Sequence, residues 1–215
     1  MTEPRVVERF RKHTVWFHWI HTLAFLVLLI TGAILFLPGL GAPAAGGLTR
    51  FIHRAAVVFY IVAPIAYTLS SPKTALHFIK EVLIWGRDDI RWLFRAPDYY
   101  FGGDENKMIP QGHINTGQKM WQLVVVITGI MFIVSGFILW FFKGTVSADL
   151  FQWTLIIHDI AFVVAFLMVL VHIYLGAIHP RMTESLRSIL DGKISKKYAR
   201  SHYLKWHDTL ATGDD

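Results

Sequence analysis

Four long apolar runs divide this chain, each bounded by polar or basic residues. Val15–Leu37 runs for 23 residues without an Asp, Glu, Lys or Arg, interrupted only by His18 and His21. Phe51–Leu69 covers 19 residues and carries Arg54 and Pro64. Met120–Phe142 adds a further 23 uncharged residues, and Phe151–Ile178 covers 28, with His158, Asp159 and His172 inside it. A helix needs about 20 predominantly apolar residues to cross the hydrocarbon core of a bilayer. The pattern therefore predicts an all-α, integral-membrane four-helix bundle. It forms one domain over residues 1–215, with spans at 15–37, 51–69, 120–142 and 151–178, a loop at 70–119 and a tail at 179–215. The loop mixes aromatic and charged residues in IRWLFRAPDYYFGGDEN and reads as a partly ordered surface segment.

Composition agrees with the pattern. Hydrophobic residues make up 54% of the chain and charged ones 17%, against about 25% charged in soluble domains. The first apolar run is too long for the core of a cleavable signal peptide. Of the 21 Lys and Arg, 18 flank the spans on one side. Arg5, Arg9, Arg11 and Lys12 precede the first span, seven lie between Lys73 and Lys119, and seven between Arg181 and Lys205. Only Arg50, Arg54 and Lys143 fall on the other side. Positive flanks mark the cytoplasmic face, so both termini and the middle loop are expected there. The net charge of +6 is spread along these flanks and not gathered into a groove, which points to membrane lipid as a partner and away from nucleic acid.

The chain has no cysteine. That excludes thiolate-bound iron–sulfur clusters, covalent c-type haem, Cys-based zinc sites and disulfides. Redox chemistry, if present, must rest on His, Met or carboxylate.

Histidine is plentiful, with 11 in the chain, and four sit in spans at informative depths. Ionisable residues inside a membrane are expensive and mark function by default. With the orientation above, His53 and His158 lie towards the outer ends of their helices, and His18 and His172 towards the inner ends. Two imidazoles at one depth are what a bis-histidine haem b needs. His158 and His172 are separated by about 21 Å along one helix at 1.5 Å per residue. They drift by only about 40° around it, so one face presents both. His21 rivals His18 one turn along the same helix. His179 rivals His172 but precedes Pro180, where a helix is expected to end. His13, His77, His113, His202 and His207 read as solvated or interfacial. Gly32, Gly129 and Gly136 admit either a flat macrocycle or close helix packing. Arg54, beside His53, is a candidate partner for a haem propionate, with snorkelling to the interface as its alternative role.

Five stretches carry a resemblance: FHWIHTLAFLVLLITG around His18, RFIHRAAVVFY around His53, RDDI at 87–90, NTGQK at 115–119 and HDIAFVVAFLMVLVHIY at 158–174. At these residues, and over nearly its whole length, the chain resembles the cytochrome b556 (gamma) subunit of respiratory formate dehydrogenases. That group lies within the broader di-haem cytochrome b family that also serves nickel–iron hydrogenases. The resemblance implies two haems b, the outer on His53 and His158 and the inner on His18 and His172. It also implies a quinone site beside the inner haem at Asn115, Gly117 and Gln118. Asn and Gln can hydrogen-bond quinone carbonyls, and glycine allows close approach; the same segment also reads as a helix entry capped by Asn115. The implied setting is the bacterial inner membrane. The implied partners are an iron–sulfur (beta) subunit, a molybdenum or tungsten catalytic (alpha) subunit that oxidises formate, and menaquinone or ubiquinone, with a higher oligomer of the complex possible. Two rivals remain: the same cytochrome serving a hydrogenase or another periplasmic oxidoreductase, and a haem-free transporter using His158, Asp159 and His172 as a proton relay.

Overall fold

The computed structural model describes residues 6–45, 47–104 and 107–212. Arg5, Gly46 and the Glu105–Asn106 end of the aromatic stretch lie outside them. Four helices are long and apolar enough to cross a membrane. They are α1 (Lys12–Phe36), α3 (Leu48–Ser70), α6 (Thr116–Phe141) and α7 (Ala148–Ile173), the last continued by a π turn over Tyr174–Ile178. Each starts about one turn before the apolar run that predicts it, because the first turn of a membrane helix sits among polar headgroups and need not be apolar. A 3-10 turn (Pro38–Leu40) and α2 (Gly41–Ala45) connect the first two spans. Pro64 is carried inside α3, with Thr68 Oγ1 donating to its carbonyl at 2.8 Å.

The helices show the inverted surface that lipid requires. Leu23, Ile30, Phe59, Ile130 and Leu167 each leave more than half of their surface exposed, while small residues such as Ala24, Ala56, Ala161 and Ala165 are buried. Helices in a bilayer gain little from burying leucine, since lipid tails are equally apolar, and small residues let their backbones approach.

The chain divides into two compact units. One comprises Phe17–Leu69 and Leu123–Val171, the middle portions of the spans. The other comprises Met1–Trp16, Ser70–Gln122 and His172–Asp215. In this second unit the 70–119 connection is more ordered than its sequence indicates. It holds α4 (Pro72–Leu83) and α5 (Arg87–Tyr100). The tail supplies α8 (Thr183–Leu190), α9 (Lys196–His202) and α10 (Leu204–Thr212). Strand β1 (Val6–Glu8) pairs antiparallel with β2 (Lys193–Ser195), Val7 opposite Ile194. Tyr99, Ile194, Tyr198, Tyr203 and Trp206 form the centre of an aromatic core.

Two histidines expected to be solvated or interfacial are part of this packing. His202 stacks on Tyr198 with ring centres 3.9 Å apart and hydrogen-bonds Tyr99. His113 Nε2 bonds the Arg9 carbonyl at 2.9 Å and its ring meets Trp206 edge-on.

Candidate cofactor site

In the first unit the outer pair meets. The rings of His53 on α3 and His158 on α7 lie with centres 6.4 Å apart. Two metal–imidazole bonds of about 2 Å each place the ring centres of a bis-imidazole pair roughly 6 Å apart. The separation fits one iron between them.

Each ring is also held in one tautomer. Thr31 Oγ1 on α1 donates its only proton to the Val27 carbonyl at 2.6 Å, so towards His53 Nδ1, 2.7 Å away, it must accept. Ser135 Oγ on α6 donates to the Met131 carbonyl and lies 2.8 Å from His158 Nδ1. A hydroxyl has one proton to give. Both imidazoles therefore carry hydrogen on Nδ1 and keep the Nε2 lone pair for a metal, which is how outer partners orient ligating histidines. Replacing Thr31 by Val, or Ser135 by Ala, removes this anchor and leaves the ligand in place. Each change should weaken retention of a haem held by His53 and His158 roughly 10- to 100-fold, read as haem transfer to an apo-globin acceptor. Unchanged transfer rates in both variants would show that the hydroxyls only satisfy their helices.

The three glycines separate into two roles. A Cβ on Gly32 would lie 3.4 Å from the Phe162 ring and 3.8 Å from His53 Cε1, and one on Gly136 would lie 3.6 Å from His158 Cε1. These are ordinary contacts, and both glycines stand at the edge of an imidazole, where they would leave room for a macrocycle held by His53 and His158. At Gly129 a Cβ would come within 3.1 Å of the Tyr60 hydroxyl. That glycine serves helix packing against Tyr60. Arg54 lies over the Trp140 ring at 5.0 Å, an aromatic contact that eases its place beside His53.

The rivals of the inner pair differ in their surroundings. His21 stacks on the buried Tyr60 ring with centres 4.5 Å apart. His18 has a buried Nδ1 with no hydrogen-bond partner, a costly arrangement unless something occupies it. In the second unit, Trp121 stacks on His172 at 4.4 Å and 10°. His179 has both ring nitrogens engaged, Nε2 with the Tyr100 carbonyl at 3.0 Å and Nδ1 accepting from Arg181 N at 3.3 Å. It ends the span and starts the following turn.

Asn115, Gly117 and Gln118 open α6. Asn115 Oδ1 accepts Gln118 N–H at 2.9 Å, and Gln118 Oε1 accepts Asn115 N–H at 2.9 Å. The pair is a reciprocal cap that satisfies two donors at the helix start. A Cβ on Gly117 would approach the Trp92 ring to 3.0 Å, so this glycine lets the buried Trp92 pack. RDDI and NTGQK meet here. Asp89 accepts from Thr116 Oγ1 at 2.7 Å and pairs with Lys119 at 3.0 Å, while its other oxygen caps Gly86 N–H at 2.8 Å. Burial pushes the Asp89 carboxyl up, but the bonds from Gly86, Thr116 and Lys119 outweigh it and hold it below the usual carboxylate range.

Sequence reasoning missed Thr31, Ser135, Trp121 and Arg9. The first two carried only a weak signal: Thr31-Gly32 and Ser135-Gly136 are hydroxyl-glycine pairs, but so are Thr116-Gly117 and Thr128-Gly129.

A four-span helical membrane protein that offers paired imidazoles in a ligating tautomer belongs to the class of membrane cytochromes. The sequence profile of prokaryotic cytochrome b561 matches residues 9–192, and the chain is a member of that family. Membership implies haem b, and with the four spans it makes this a multi-pass protein of the bacterial inner membrane. The chain is 25% identical over 201 residues to the cytochrome b556(Fdn) subunit of the nitrate-inducible formate dehydrogenase of Escherichia coli K12, covering 88% of this chain and 85% of that one. It is 26% identical over 199 residues to the formate dehydrogenase cytochrome b556 subunit of Haemophilus influenzae, covering 88% and 77%.

Proposed function

We propose that this chain is the membrane-anchor cytochrome b subunit of a formate dehydrogenase complex, delivering electrons to quinone. The observation that carries the reading is the His53–His158 pair, with ring centres 6.4 Å apart and both Nδ1 atoms tied to hydroxyls. His53 and His158 hold the outer haem, and His18 and His172 the inner one. Depth along the helices supports the second assignment. When bound, the two haems supply a one-electron path across the bilayer. The electrons come from an iron–sulfur subunit on the outer side, fed by a molybdenum or tungsten subunit that oxidises formate. The names of the relatives support that partnership. Both termini and the 70–119 segment face the cytoplasm, as the distribution of Lys and Arg requires.

Quinone is reduced beside Asn115, Gly117 and Gln118, taking its protons from the cytoplasmic side. Two features support the location. Trp121, one turn beyond Gln118, stacks on the inner ligand His172. The side-chain oxygens of Asn115 and Gln118 are used in the cap, but each amide keeps an NH2 group to donate to a quinone carbonyl.

In membranes containing the whole complex, formate should reduce the b-type absorption, and a soluble quinone analogue should reoxidise it. Asn115→Ala should leave reduction by formate intact and slow reoxidation about two- to tenfold, the loss of one hydrogen bond. Reduction by hydrogen in place of formate would move the chain to the hydrogenase branch. Unchanged reoxidation at full haem content would place the quinone elsewhere.

A further inference from the structure

Gln118 Oε1 receives two hydrogen bonds, and neither donor can accept one. The first comes from Asn115 N–H at 2.9 Å, the second from Arg9 Nη2 at 3.0 Å. The amide is therefore locked with its oxygen inward and its NH2 group on the opposite side. Asn115 is locked in the same sense, because its Oδ1 takes Gln118 N–H.

Arg9 is an unusual neighbour. It is only 5% exposed and stands just past β1. The same Nη2 donates to the His113 carbonyl at 2.8 Å, and its guanidinium lies 3.8 Å over the Tyr203 ring. Its Nε and Nη1 are buried without a hydrogen-bond partner, and among the described residues no carboxylate pairs with it. A buried guanidinium without a counter-ion keeps its field unneutralised, and in a low dielectric that field reaches through the hydrogen bond it makes.

We infer that Arg9 is a positioning residue of the quinone site: it makes the Asn115–Gln118 pair a donor-only surface and polarises the Gln118 amide towards the ligand. This rests on the reading of Asn115, Gly117 and Gln118 as that site. A donor-only surface selects for oxygen that accepts. Both carbonyls of an oxidised quinone qualify, and the match improves as the ring takes up electrons and its oxygen gains negative charge. A quinol hydroxyl must turn its own proton elsewhere, so the reduced product is held less firmly than the substrate. The arrangement favours the direction of reduction and release.

Gln118→Glu is the sharpest test. Glutamate serves a capping box as well as glutamine does, and it offers Arg9 a carboxylate, so thermal stability of the purified complex should be kept or raised. The variant nevertheless loses the outward NH2 group. Titration with a soluble short-chain naphthoquinone should show affinity for the oxidised form falling by about tenfold or more, one neutral hydrogen bond lost and a carboxylate set against the carbonyl oxygen. A second arm uses Arg9→Gln, compared with Arg9→Lys as the conservative variant. At unchanged haem content, Arg9→Gln should narrow the affinity ratio of the oxidised naphthoquinone to its quinol, and Arg9→Lys should restore part of it. A purely structural arginine would weaken both forms equally, and that result overturns the inference. So does a Gln118→Glu protein that binds the oxidised form normally while Asn115→Ala binds it poorly. If Asn115→Ala also binds normally, the quinone reading fails together with the inference drawn from it. Should Arg9→Gln not fold, the Gln118→Glu measurement decides alone.

Discussion

Replacing His158 by alanine is expected to lower the haem content of the purified protein from about two per chain to about one. His53→Ala should give the same value, and so should the double variant. The argument is geometric. The two ring centres lie 6.4 Å apart, a separation that fits one iron, so on the proposed assignment losing either ring would leave that haem with a single imidazole. On the proposed assignment the second pair lies about 21 Å further along the helices, too far for any ligand to be shared. Effects of groups that act as a unit do not add. The sharp signature is therefore the absence of further loss in the double variant, read by pyridine haemochrome assay. A double variant without haem, when each single variant retains one, would mean that His53 and His158 serve different irons. The pairing by depth would then be wrong.

The second large effect is structural and falls in the other unit. Gly192→Ala should destabilise the protein by roughly 2–5 kcal/mol, a sum of left-handed strain and overpacking. Gly192 has φ +82°, a conformation that a side chain resists. A Cβ there would also stand within 2.2 Å of the Phe10 carbonyl oxygen, backbone that cannot turn aside as a side-chain tip can. The Gly192 carbonyl accepts both Arg9 N–H at 2.7 Å and Phe10 N–H at 3.0 Å, so a shift at this residue moves Arg9 directly. The melting temperature should fall by about 5–15 °C. Affinity for a soluble quinone should fall with it, while the outer-haem spectrum persists, because His53, His158, Thr31 and Ser135 belong to the other unit. Wild-type stability in this variant would show that the chain relaxes around the turn at little cost.

The two sites differ in how far they could be read without coordinates. His53 and His158 were paired on depth alone. A membrane helix rises by a nearly constant amount per residue between fixed boundaries, so position in the run is position in the bilayer; the two ring centres lie 6.4 Å apart. The hydroxyls behind them were not paired. Thr31 and Ser135 lie on two other helices, and which face of a span turns inward is weakly encoded when all its faces are apolar. Asn115 shows a different kind of ambiguity. Helix cap and quinone contact were both legible, and the structure engages its oxygen in the cap.

The chain by itself determined the four spans, their order, the charge bias across them and the depth of every intramembrane histidine. Each follows from local composition and a constant rise per residue. Only the tertiary structure decided which ring nitrogen of His53 and of His158 is engaged, because each Nδ1 meets a hydroxyl 22 or 23 positions away. Only the tertiary structure folded the 70–119 segment against the two ends of the chain, since its short helices carry weak local signals and gain stability from an aromatic core assembled over long range. It also brought Arg9 to Gln118 across 109 residues. No periodicity marks such a pair: a buried cation and the amide it orients are joined by the fold, and the desolvation that strengthens their bond exists only once the fold has formed.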